Sequence, residues 1–140
     1  MSYLLIAEDD EDDRFLATEA FKESGSKVPL RFVNDGESLI NLLESEIKEA
    51  NELPYLILLD LNMPKKDGRQ CLMEIKQNSL FRKIPIIVFT TSKLEEDVTK
   101  TYDLGVNSYI NKPVEFKELI SIFSLLSEYW FKTVKLPTQN

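Results

Sequence analysis

Five short apolar runs recur along the chain: YLLIA at 3–7, LRFV at 30–33, YLILLD at 55–60, PIIVFT at 85–90 and NSYIN at 107–111. Each has the length of a strand and is rich in aliphatic, β-branched or aromatic residues. Amphipathic stretches of helical period follow them. These are 11–24 with Leu16, Ala17, Ala20 and Phe21; 36–47 with Leu39, Ile40, Leu43 and Ile47; 68–77 with Cys71, Leu72 and Ile75; 94–104 with Leu94, Val98 and Tyr102; and 115–131 with Phe116, Leu119, Ile120, Phe123, Leu126 and Trp130. A strand-helix unit repeated five times predicts an α/β fold. Parallel strands need crossover connections, which are right-handed and cover both faces of the sheet. YLILLD lacks polar alternation, as a central strand buried on both faces requires.

In open sheets of this kind chemistry gathers beyond the carboxyl ends of the strands. The residues there are Glu8 and Asp9 after the first run, Asp60 after the third, Thr90 and Thr91 after the fourth, and Lys112 before Pro113 after the fifth. Glu8 also opens a run of six acids that ends at Asp13. Crowded carboxylates repel one another and need a positive charge. Asp10 to Asp13 are explained as acids at a helix N-terminus, but Glu8 and Asp9 precede the helix. A hard dication supplies the compensation: Mg²⁺ prefers carboxylate and carbonyl oxygens at about 2.0–2.1 Å and commonly shares its coordination with a phosphoryl group. Asp9 and Asp60 suit direct ligation, Glu8 ligation through water, and a backbone carbonyl near Asn62 completes the set. One carboxylate then serves as nucleophile towards a phosphoryl donor, giving an acyl phosphate. Such transfer depends on positioning and charge neutralisation, for which a dication, a lysine ammonium and a threonine hydroxyl suffice.

Composition removes the main competitors. The 140 residues, 43% of them hydrophobic, suit one compact domain. A net charge of −7 without a basic cluster argues against direct nucleic-acid binding. The chain has no histidine, which excludes imidazole bases, Ser-His triads and His-ligated metals, and its single cysteine, Cys71, forms no disulfide or thiolate-zinc framework within one chain. The N-terminus lacks the basic flank and long apolar core of a signal peptide, and no apolar run approaches the ~18 residues of a membrane span. A cytoplasmic location without membrane association is the expectation.

The stretches EDD, LLDLNMPKKDG, FTTS and SYINKP, in this order after the first, third, fourth and fifth strands, resemble the receiver domain of bacterial two-component response regulators across nearly the whole chain. The resemblance implies a flavodoxin-like, doubly wound (βα)5 fold with strand order 2-1-3-4-5, a receiver over 1–131, and a short tail at 132–140 with no output domain. It implies Asp60 as phosphoacceptor. Glu8, Asp9, Asp60 and the backbone oxygen of Asn62 would hold Mg²⁺ or Mn²⁺, and Thr90, Thr91 and Lys112 would face the phosphoryl group. Thr90 and Tyr109 would form the switch, and a cis peptide would join Lys112 to Pro113. Such a chain is a signalling protein rather than an enzyme, with at most intrinsic phosphotransfer and autodephosphorylation. Its departures from the commonest pattern are Glu8 for aspartate, Thr91 where a small residue is frequent, and Val114 where phenylalanine is common.

The implied partners are a sensor histidine kinase and a downstream protein. The segment EIKEANELP at 46–54 and the extension EYWFKTVKLP resemble those of stand-alone receivers that serve phytochrome-type kinases. Ile122, Leu125 and Tyr129 form a second apolar stripe on the last helix, read as a partner or homodimer surface. Two other readings stay open at this point. One is a receiver-like interaction module that works without phosphorylation. The other is an aspartyl-phosphate hydrolase of the haloacid-dehalogenase type, which looks for a second aspartate where this chain has Asn62.

Overall fold

The computed structural model describes residues 2–137; of the tail at 132–140, residues 138–140 lie outside the described residues. In chain order the elements are β1 (Leu4–Ala7), α1 (Glu11–Glu23), β2 (Leu30–Val33), α2 (Gly36–Lys48), β3 (Leu56–Leu59), α3 (Gly68–Gln77), β4 (Ile86–Thr90), α4 (Glu95–Asp103), β5 (Ser108–Asn111) and α5 (Phe116–Ser127). A π-helical turn, Glu128–Thr133, continues α5. The strands form one parallel sheet in the order β2-β1-β3-β4-β5. The expected flavodoxin-like arrangement is the observed one.

Side chains of a strand alternate between faces, and here the alternation divides the core in two. Leu4, Ile6, Leu56, Leu58, Ile87 and Phe89 face α1 and α5, where they meet Ala17, Ala20, Phe21, Leu119, Phe123 and Leu126. Leu5, Ala7, Ile57, Leu59, Ile86 and Val88 face the other way, onto Leu39 and Leu43 of α2 and Cys71, Leu72 and Ile75 of α3. Every residue of β3 is fully buried, which accounts for its unbroken apolar run. Burial also pushes the Cys71 thiol up to about 12, so this cysteine packs rather than reacts.

Aspartates start three of the helices. The side chains of Asp10, Asp35 and Asp67 accept from backbone N–H groups of Asp13, Ser38 and Arg69, satisfying amides that a helix start leaves open. Two glycines permit close approach. A Cβ on Gly36 would lie 1.9 Å from the Lys66 carbonyl oxygen, and one on Gly68 would lie 2.4 Å from that of Asp60. Because Gly68 has none, α3 begins directly against the end of β3.

The structure corrects several inward faces. Leu16, Ile47, Leu94, Tyr102 and Phe116 are exposed, and the buried positions of α4 are Asp97 and Thr101. These polar residues tolerate burial because each is hydrogen-bonded: Thr101 Oγ1 donates to the Asp97 carbonyl at 2.8 Å, and the Asp97 carboxylate accepts from Ser92 and Arg69. The last helix is not a single α-helix to 131. Its backbone widens after Ser127, with the Val134 N–H donating to the Tyr129 carbonyl at 3.0 Å, and both Trp130 and Phe131 pack against the α1–α5 layer. Of the second stripe, Ile122 is half-buried against that layer, whereas Leu125 and Tyr129 are exposed.

Phe123 is the largest fully buried side chain, edge-on to Phe21 at 5.5 Å and Phe89 at 6.4 Å. Phe123→Ala is expected to cost about 3–5 kcal/mol of stability, and Leu125→Ala less than about 0.5 kcal/mol. Urea denaturation of both variants measures the contrast.

Candidate functional site

The strand ends place the site, since backbone hydrogen bonds carry the sheet ladder one step beyond the strands. The Glu8 N–H donates to the Val33 carbonyl at 3.0 Å, the Asp60 N–H to Ala7 at 3.2 Å, and the Lys112 N–H to Thr90 at 2.9 Å. Glu8, Asp60, Thr90 and Lys112 are thereby fixed along one rim. Gly68 donates to the Leu61 carbonyl at 3.0 Å, which closes the loop after Asp60 onto the start of α3.

Asp60 lies at the centre and is 7% exposed. Its Oδ1 accepts from the Thr90 hydroxyl at 2.9 Å and from the Asn62 backbone N–H at 3.2 Å, while Oδ2 accepts from Lys112 Nζ at 3.0 Å. The Lys112 ammonium also donates to Glu8 Oε1 and, at 3.3 Å, to Asp13 Oδ2. Glu8 is 4% exposed, and its other oxygen accepts from the Asp10 N–H at 3.0 Å. Burial pushes the Glu8 carboxyl above the usual range, and its bonds to Lys112 and Asp10 offset this only in part. Burial pulls the Lys112 ammonium down, but Glu8 and Asp60 outweigh that pull and hold it firmly protonated.

One ammonium therefore serves a carboxylate cluster larger than itself. Oxygens of Glu8, Asp9 and Asp60 lie within 4.8 Å of one another, with Asp9 exposed at the mouth and the other two buried behind it. Hard oxygen donors at such spacing, short of positive charge, fit a dication of the Mg²⁺ or Mn²⁺ type.

The remaining residues fall into place unevenly. Thr90 is fully buried at the rim and Thr91 is exposed beside it. The Tyr109 hydroxyl donates to the Ser92 carbonyl at 2.9 Å, so the tyrosine is tied to the loop after β4. The expected cis peptide is absent: the bond between Lys112 and Pro113 is trans. A trans X–Pro bond is the lower form by about 0.5–1 kcal/mol, and Lys112 reaches both Glu8 and Asp60 with it.

Sequence reading missed two participants at the rim. Asp13, assigned only to the helix start, also reaches Lys112, and the Arg14 guanidinium donates to the Glu8 and Asp9 carbonyls at 3.1 and 2.9 Å. The EDDR run at 11–14 put both in the first turn of the helix that follows the strand end, which was the available signal. It also missed Ser92, Asp97 and Arg69: Ser92 meets Asp97 five residues on, but the Arg69–Asp97 contact that braces the pair spans 28 residues and leaves no local pattern.

The family model for the response regulator receiver domain matches residues 4–124. The response regulator Rcp1 of Synechocystis is 41% identical over 135 residues, which cover 96% of this chain and 92% of that protein. The crystal structure of the Mn(2+)-bound form of Rcp1 superposes with a TM-score of 0.87 at 40% identity, covering 99% of this chain and 100% of that one. The phosphorylated cyanobacterial phytochrome response regulator RcpA gives a TM-score of 0.87 at 40% identity, covering 98% and 99%.

Removing Lys112 leaves buried carboxylates without their cation, a change that typically costs about 3–5 kcal/mol. Lys112→Met is expected to lose stability of that order in chelator and to recover more of it on adding Mg²⁺ than the wild type gains. Thermal unfolding with EDTA and with Mg²⁺ checks this.

Proposed function

The chain belongs to the response regulator receiver family, and we propose that Asp60 is the residue on which it accepts a phosphoryl group. The carrying observation is that one carboxylate has the Thr90 hydroxyl at 2.9 Å, the Lys112 ammonium at 3.0 Å and the oxygens of Glu8 and Asp9 within 4.8 Å. An Asp60 oxygen attacks phosphorus of a phosphohistidine donor, the P–O bond forms, and the P–N bond breaks with its electron pair left on the imidazole. The Thr90 hydroxyl and Lys112 ammonium turn from the Asp60 oxygens to the phosphoryl oxygens, where they meet the added charge. Glu8, Asp9, Asp60 and the backbone oxygen of Asn62 hold Mg²⁺ or Mn²⁺, which when bound supplies the positive charge that transfer needs. Thr91, exposed and next in the chain to Thr90, would face the phosphoryl group beside it.

The donor is a sensor histidine kinase. The similarity to the phytochrome response regulator RcpA supports a phytochrome-type kinase as its source. Two observations weigh against the other readings. Asn62 stands where a hydrolase of the haloacid-dehalogenase type would have its second aspartate. Asp9, Asp60, Thr90 and Lys112 are all present, so no group required for phosphorylation is missing. The receiver spans 1–131, a reading that the family match over residues 4–124 supports.

A labelled kinase is expected to phosphorylate the wild type in Mg²⁺ and to leave Asp60→Asn at least about a hundredfold less labelled. Label retained on the variant would move the acceptor to another carboxylate. Leu125 of α5 and Tyr129 of the turn that continues it are both exposed, which supports pairing of two copies through this end of the chain's last helix. Light scattering is expected to show mass rising with concentration in the wild type but not in Leu125→Glu/Tyr129→Glu; a concentration-independent monomer removes the dimer.

A further inference from the structure

Beyond Thr90 the chain leaves the rim through Thr91, Ser92, Lys93 and Leu94 before α4 begins. Short polar loops of this kind are ordinarily mobile, because few contacts hold them. This one is held at Ser92 from several sides. The Ser92 hydroxyl donates to Asp97 Oδ2 at 2.6 Å, and its carbonyl accepts from the Tyr109 hydroxyl at 2.9 Å and from Asn111 Nδ2 at 2.7 Å. Its N–H points to the Thr90 hydroxyl at 3.4 Å.

The anchor at the α4 end is charged and braced. Asp97 is 5% exposed, and Arg69 of α3 grips its Oδ1 with Nε at 3.0 Å and Nη2 at 2.8 Å. Arg69 Nη1 in turn lies 3.0 Å from both oxygens of Asp67, the residue that caps α3 at the end of the Asp60 loop. The Ser92 hydroxyl bond holds the Asp97 carboxyl below the usual range, with burial opposing it and Arg69 assisting. A continuous line of charge-assisted bonds thus joins the loop after β3 to the loop after β4, around the outside of the site.

This line bears on phosphorylation through Thr90. At rest the Thr90 hydroxyl donates to Asp60 Oδ1 and has the Ser92 N–H behind it. A phosphoryl group on Asp60 places new anionic oxygens in front of Thr90. The Lys112 ammonium and the Thr90 hydroxyl already lie at Asp60 and can turn to them, whereas the amides of the loop, the Ser92 N–H behind Thr90 first among them, reach them by a shift of Ser92 relative to α4 and β5. The bonds that fix Ser92 therefore belong to the unoccupied arrangement, and a contact made in only one of two states biases the balance between them. The geometry points to Arg69, Asp97 and Ser92 as positioning residues that hold the β4–α4 loop in its resting arrangement and so oppose occupation of Asp60. This rests on the reading of Asp60 as phosphoacceptor.

The sign separates this role from a structural one. A residue that only supports the fold weakens binding or leaves it unchanged when removed, whereas these should strengthen it. Beryllofluoride in Mg²⁺, titrated calorimetrically into the full chain, is expected to bind Ser92→Ala and Asp97→Asn roughly tenfold more tightly than wild type, a change of about 1.4 kcal/mol. The double variant should bind no more tightly than either single one, because both break the same link. Ser92→Thr, which keeps the hydroxyl, should return to the wild-type value, and Arg69→Gln should move in the direction of Asp97→Asn. Unchanged or weaker binding in both Ser92→Ala and Asp97→Asn overturns the proposal while leaving Asp60 as acceptor. Wild type that ignores beryllofluoride, or Asp60→Asn that binds it equally, overturns the acceptor reading and this proposal with it.

Discussion

The Lys112 ammonium among Glu8, Asp13 and Asp60 is the interaction on which the rest of the molecule depends. Buried carboxylates are tolerable only when paired or hydrogen-bonded, and here a single lysine is shared between the ends of three chain segments. Its charge holds the rim together while leaving it short of positive charge. That shortage gives a dication its place, and on the proposed function the dication and lysine together would offset the charge of a phosphoryl group that carboxylates alone repel. Structural tension and chemical competence have one electrostatic origin.

The sheet makes this arrangement reproducible. Parallel strands all end at the same edge, so residues remote in sequence, such as Glu8, Asp60, Thr90 and Lys112, become neighbours without any local signal between them. The glycines at 36 and 68 do the complementary work: they let the Lys66 and Asp60 backbones approach the helix starts closely enough for the loop after β3 to fold back beneath the site. A side chain at either place would push that loop outward.

Membership in the response regulator receiver family makes the chain a signalling protein. Loop elements around Asp60 are tied to α3, α4 and β5 by the Asp67, Arg69, Asp97, Ser92, Tyr109 and Asn111 contacts. These contacts form one connected network from the loop after β3 to β5. Among the described residues no helix is long and apolar enough to cross a membrane.

Much of this was legible in the residue order. The five apolar runs, the unbroken burial of β3 and the polar residues at the strand ends follow from periodicity and from where parallel strands terminate, and they located the candidate acceptor, metal ligands and lysine. Periodicity misjudged α4, where Leu94 and Tyr102 face outward and Asp97 and Thr101 inward, because hydropathy cannot register a buried polar residue whose partners come from elsewhere in the chain. It also carried α5 through as one regular helix, since nothing in a hydrophobic pattern distinguishes an α turn from a wider one. The isomer at Pro113 was equally beyond it: an X–Pro pair permits either form, and the choice falls to the surrounding chain. The sequence by itself determined which elements form and which of their ends carry charge, because those depend on residues close together along the chain. Only the tertiary structure decided who compensates whom, including Asp13 on Lys112 and Arg69 on Asp97, because such pairings depend on distances that folding creates.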